Sequence, residues 1–145
     1  MPQLFPTFEP PEIVEDEQQN TPEYPKSLLF DFESGDFVLD GAGRLVETDG
    51  HTAWVQWCEK AVLTERFAFL VYGTDFGSEL SQAKNEPNRA AVQSYVEREI
   101  TEALLIDPRT EAVRDFAFSW SGDQLTISFT VLPVIGDPAR LEVNV

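Results

Sequence analysis

The chain has 145 residues and a mass of 16.3 kDa, the size of one domain, so a second catalytic domain has no room. Twenty-six acids against ten bases give a formal charge of −16, which excludes binding driven by phosphate backbones or anionic bilayers. Hydrophobic residues at 42%, with eleven Phe, exclude a wholly disordered chain, while one Cys and one His exclude an internal disulfide and leave too few ligands for a structural zinc site.

The expected organisation is an extended, acidic, Pro-rich arm over residues 1–26 followed by a single domain over 27–145. Residues 1–25 hold six of the ten prolines, six acids and no base, a composition that favours solvated, extended backbone. Leu4, Phe5, Phe8, Ile13 and Val14 interrupt that polarity, so the segment reads equally as a disordered leader or as an arm that docks on a partner or on its own domain. The run MPQLFPTFEPPE has neither the basic start nor the apolar core of a signal peptide, and no apolar stretch approaches the ~18 residues of a membrane span. A protein made and kept in the cytoplasm is expected, unless a larger assembly carries it out.

From Ser27, Leu28, Phe30 and Phe32 alternate with Leu29, Asp31 and Glu33, the period of a half-buried strand. Turns at Glu33–Asp36 and Asp40–Gly43 then lead to return strands at Phe37–Asp40 and Arg44–Glu47, a small meander. Thr48 or Asp49 is placed to cap a helix running to about Thr64, with Trp54, Trp57, Cys58 and Ala61 on one stripe. Cys58 on that stripe reads as core, and His51 at the helix start as a surface or capping residue. Phe67–Tyr72 is continuous, aromatic and β-branched, predicting a strand buried on both faces; Gly73–Gly77 breaks it, with Phe76 returning to the core.

Pro87 suits the first turn of a second helix, capped by Asn85 or Glu86 and running to about Ile106. Val92, Tyr95, Val96, Ile100, Ala103 and Leu104 form its inward stripe, and Arg89, Gln93, Glu97, Arg98 and Glu102 face water; Asp107-Pro108 stops it. Phe116, Phe118 and Trp120 alternate on one strand and Leu125, Ile127, Phe129 and Val131 on the next, joined by Ser121–Gln124. Leu141, Val143 and Val145 alternate on a short last strand. Helices segregated from antiparallel pairs predict an α+β fold, two-layer, with two main helices on a mostly antiparallel sheet.

Catalytic motifs are missing from the sequence: there is no Walker loop, G-x-S-x-G, H-E-x-x-H or EF-hand calcium loop. Carboxylate chemistry remains, with Asp75 and Glu79, four apart, as the first pair to inspect for a glycoside hydrolase, although solvated acids in a loop far outnumber catalytic dyads. No catalytic residue, metal or cofactor is expected.

An ordered series of short motifs carries a resemblance. It consists of Thr64-Glu65-Arg66-Phe67 with the stretch to Tyr72, Asp75-Phe76-Gly77-Ser78-Glu79-Leu80, Glu86-Pro87-Asn88, Glu102-Ala103-Leu104, Asp107-Pro108-Arg109 and Gly122–Ile127. Together these look like the baseplate wedge or sheath-initiator family of contractile phage tails and related injection systems, over about Leu28 to Leu132. The resemblance implies a non-enzymatic inner-baseplate component, with wedge proteins, the tail sheath protein and central hub, spike or tube proteins as partners. Nucleic acid binding and membrane insertion are not implied. The family's wedge-contacting Glu-Pro-Arg motif maps to Glu86, Pro87 and Asn88, where Asn keeps a donor but loses the guanidinium fork. Sheath contact by strand pairing is expected at Thr126, Ser128, Thr130, Leu141 and Val143, on an edge that is either open or covered by the domain's own helices. The readings from other classes are a small carboxylate-dependent glycosidase and an adaptor that binds through its acidic arm.

Overall fold

The computed structural model describes residues 21–145. Of the expected arm, residues 1–20 lie outside the described residues. In chain order the elements are β1 (Phe30–Asp31), β2 (Asp36–Phe37), α1 (Gly50–Leu63), a 3₁₀ helix (Leu80–Asn85), α2 (Arg89–Leu105), β3 (Thr110–Ser121), β4 (Gln124–Pro133) and β5 (Ala139–Asn144). β1 and β2 pair antiparallel, and a separate antiparallel sheet has the order β3-β4-β5. Helices pack on one face of the larger sheet, giving the two-layer α+β arrangement.

Period-two alternation on β4 puts Leu125, Ile127, Phe129 and Val131 on the inner face, each at most 1% exposed. Phe118 and Trp120 stand opposite Ile127 and Leu125 across the β3–β4 ladder and extend the same face. Gly122-Asp123 makes the hairpin turn, with Gly122 at φ 61°, which a side chain would oppose. Asp115, at φ 58°, sits where the β3 register shifts, and this bulge bends the strand.

On α1, Asp49 caps the helix by accepting from the Thr52 amide at 2.7 Å. Trp54 is fully buried and donates its indole N–H to Thr110 Oγ1 at 3.1 Å, tying the helix to β3. Val96, Ile100, Ala103 and Leu104 bury the α2 stripe as expected.

The expectations for Phe67–Tyr72 and for the start of α2 need correction. Phe67–Tyr72 is not a strand: it lies in a loop built from successive tight turns, with Ala68 N–H on Glu65 O, Tyr72 N–H on Phe69 O and Phe76 N–H on Gly73 O. Among the described residues no strand lies beside this run to complete its ladder, and Leu70 is fully exposed. The α2 cap is Asn88, not Asn85 or Glu86, because its carboxamide accepts from the Ala91 amide at 2.9 Å. Glu86 is held extended by the proline after it, so Pro87 precedes the helix rather than opening it. Tyr24, in the segment read either as a leader or as an arm that docks on a partner or on its own domain, is half-buried against the domain: its hydroxyl donates to Arg109 O at 2.9 Å and accepts from Ile135 N–H at 3.2 Å.

Candidate functional site

Two surfaces stand out. The first is the free margin of the larger sheet. β4 is its central strand, paired with β3 from Thr110↔Pro133 to Ser121↔Gln124 and with β5 from Thr126↔Asn144 to Val131↔Ala139. The main chain of β4 is therefore engaged on both sides, and Thr126, Ser128 and Thr130 cannot receive a further strand, which corrects that part of the expected contact. Their side chains line the outer face instead. Thr126 Oγ1 donates to Asn144 Oδ1 at 2.8 Å, and Arg140 donates to Ser128 Oγ at 2.9 Å, to Thr130 Oγ1 at 3.1 Å and to Asp115 O at 2.8 Å.

β5 is an edge. Leu125 and Val145 exchange both main-chain hydrogen bonds, at 3.0 and 2.8 Å. Antiparallel alternation then directs the main-chain groups of Val143, Leu141 and Ala139 toward β4 and those of Asn144, Glu142 and Arg140 away from it. Leu141 and Val143 are 5% exposed, so their side chains belong to the core, and only the neighbouring main chain is unpaired among the described residues. The helices cover the inner face of the sheet, and among the described residues no segment pairs with this edge.

The second surface is a groove of about 700 Å³ between the meander and α1. Phe30 packs edge-on against Phe32 at 5.0 Å and Phe37 at 5.2 Å, and these rings face Trp57 across the groove. Gln56 fixes the spacing, since its carboxamide accepts from Phe30 N–H at 2.8 Å and donates to Leu28 O at 3.0 Å, occupying β1 as a neighbouring strand would. The charged residues on the lining are Lys26, Lys60 and Arg109, with no acid among the described residues. Lys60 lies 4.7 Å from the Tyr72 ring centre, and Arg109 is paired with Asp107 at 2.7 Å. The sequence reading missed this groove. Its signal was the recurrence of Phe30, Phe32 and Phe37 in a meander too short to bury them.

The remaining candidates are placed separately. Glu86 is half-buried, while Pro87 and Asn88 are exposed at the entry to α2. Beside them Arg89, expected only to face water, stacks 4.6 Å from the centre of Trp120 and donates to Gly122 O at 3.1 Å, so this corner is fastened to the β3–β4 turn. Asp75 is exposed, whereas Glu79 pairs with Arg66 at 3.7 Å; neither lines the groove. Cys58 is buried, and its thiol is pushed up to about 12, mainly by burial and further by the negative Asp107, so it is no nucleophile. His51 Nε2 lies 2.7 Å from Asp137 O and ties the start of α1 to the β4–β5 connection. No group of His, Cys, Asp or Glu among the described residues is arranged to hold a metal, and no described helix is long and apolar enough to cross a membrane.

A model of the contractile injection system sheath initiator family matches residues 26–134, three quarters of the chain and close to the range of the motif series. The chain belongs to the sheath-initiator family of contractile injection systems. It is also similar to "Phage-like element PBSX protein XkdS" of Bacillus subtilis (strain 168), at 37% identity over 73 residues. That alignment spans 49% of this chain and 52% of the relative, about half of each. The sheath-initiator match takes in the meander, both helices, β3 and β4; β5 and residues 1–25 lie outside it. Membership supports a structural role in a phage tail or related contractile machine.

Proposed function

We propose that this sheath-initiator family member is a non-enzymatic component of the inner baseplate whose β5 edge templates the first sheath ring by strand pairing. The observation that carries the reading is the main chain of Arg140, Glu142 and Asn144 along β5, unpaired among the described residues, in a sheet whose inner face is already filled. An added strand gains affinity from main-chain hydrogen bonds and takes its register from the ladder, so starting a polymer needs no separate pocket. The short strand and its charged outward residues limit indiscriminate edge pairing by the free protein. Glu86 and Pro87 are proposed as the wedge contact, since Asn88 already serves the domain as a helix cap. Central hub, spike or tube proteins complete the proposed surroundings, with assembly in the cytoplasm before the particle leaves the cell.

The test is Glu142→Pro compared with Val143→Pro in a strain producing the particles. The Glu142 amide points to the free edge, so proline there removes a donor for an incoming strand and leaves the β4 ladder intact; at Val143 it breaks that ladder. The Glu142 variant should melt near the wild type, enter baseplates and leave them without sheath, whereas the Val143 variant should lose stability. Normally sheathed particles from a folded Glu142 variant, or a map of the baseplate with no sheath strand beside β5, would overturn the mechanism.

A further inference from the structure

We propose that the aromatic groove between the meander and α1 is the docking site for this chain's own residues 1–20, which bind in it as an acidic, aromatic peptide. Three independent observations converge on that occupant. The first is connectivity: Tyr24 is pinned to Arg109 O and Ile135 N–H, and the next residues, Pro25 and Lys26, already line the groove, so the preceding segment leaves the domain at its mouth. The second is charge. In a protein of net charge −16, the charged groups on the lining are Lys26, Lys60 and Arg109, and neither lysine has an ion-pair partner among the described residues. Residues 1–20 carry five acids, Glu9, Glu12, Glu15, Asp16 and Glu17, and no base.

The third is the match of side chains. The walls are Leu28, Phe30, Phe32, Phe37 and Trp57, and the segment offers Leu4, Phe5, Phe8, Ile13 and Val14, apolar residues without a purpose in a merely solvated leader. Aromatic rings meeting edge-to-face add to the burial of apolar area, and prolines reduce the entropy that the segment loses on ordering. Reach does not limit it: fifteen residues separate Phe8 from Tyr24, about 50 Å when extended, several times the radius of gyration of a domain this size, about 14 Å. Attachment at the groove mouth makes the contact intramolecular, with an effective concentration on the order of millimolar, so weak affinity suffices for occupancy. The segment lies outside the family match, which makes the docked arm a feature of this chain and independent of the β5 reading.

The experiment places a spin label on the full chain through Thr7→Cys, between Phe5 and Phe8; Cys58 is buried and does not compete for label. Docking predicts loss of the NMR signals of the Trp57 indole, the Gln56 side-chain amide and the Phe30 amide, with those of Ser119 and Glu142 on the sheet retained. Adding Lys26→Glu and Lys60→Glu should restore the groove signals. Unlabelled, isotope-enriched protein mixed with spin-labelled protein distinguishes a second copy: loss of the groove signals in that mixture as well would overturn the self-docked arrangement. Groove signals that persist in every sample, or losses confined to another surface, would overturn the proposal outright. Because the Lys variants keep every apolar residue, their melting temperatures show whether restored signals reflect release of the arm or unfolding of the groove.

Discussion

Glu59 lies half-buried on α1, and burial holds its carboxyl above the usual carboxylate range. A raised native value means that the unfolded chain releases this proton first. Below the ordinary titration region, near pH ~4.3, both states are protonated and the residue is neutral for folding. As pH rises through the native value, stability is lost, and the loss persists at neutrality. Glu59→Gln should therefore raise the midpoint of urea unfolding at pH 7, and the advantage over the wild type should vanish by about pH 4. An equal advantage at both pH values would assign the effect to packing. Gly77 is constrained sterically instead: it sits at φ 102°, and a Cβ there would come within 2.8 Å of Thr64 O and 3.1 Å of the Arg66 main chain. Glycine is what allows the Arg66 and Ser78 main chains to meet and close the loop between them.

That loop, between the Glu65↔Ser78 bridge partners, is an element in its own right. Arg66 donates to Gly77 O, Ser78 Oγ to Val62 O at 2.7 Å, and the Glu79 main chain is held by Tyr95 and Glu99 from α2. Only Phe76 and Tyr72 fold back, Phe76 against Trp57 at 6.0 Å, while Phe67, Phe69, Leu70 and Val71 remain exposed. The double variant Leu70→Ser, Val71→Ser should shift folding stability by no more than about 0.5 kcal/mol, since neither side chain is buried. Phe129→Ala should cost about 3–5 kcal/mol because it opens a cavity in the core; a large loss from the loop variant in the same chemical denaturation would restore the buried-strand reading. The misreading has a physical origin. Alternation on Leu125–Val131 reports a covered and an open face directly, and the helix stripes do the same at their own period. A continuous apolar run such as Phe67–Tyr72 states only that apolar groups are present and says nothing of whether a strand lies alongside. The place of β4 in the centre was equally hidden, because it depends on where Ala139–Asn144 pairs after the turn. The groove depends on Gln56 reaching from α1 to β1, a contact between residues 26 and 28 apart with no local signature.

At the scale of the whole molecule the excess of acids opposes compaction, and salt decides how strongly. Five ion pairs are present among the described residues, and their exposure determines which way screening acts. Asp40–Arg44, Arg98–Glu102 and Arg114–Asp115 are largely exposed, so each is worth little even at low salt. Asp107–Arg109, with side chains 9% and 12% exposed, is shielded from ions by the protein around it, and Arg66–Glu79 is partly shielded. Screening therefore removes little attraction. The repulsion is distributed over a surface with sixteen unbalanced negative charges, spaced widely enough that a Debye length of about 10 Å at 0.1 M salt cuts deeply into it. Raising NaCl from about 10 mM to 0.5 M at pH 7 should increase the Tm, and the increase should be smaller in a variant with Glu9, Glu12, Glu15, Asp16 and Glu17 replaced by Gln. A Tm that falls with NaCl would mean that the paired residues outweigh the surplus charge. Chloride salts are the right probe, because sulfate would strengthen apolar burial as well and confound the two effects.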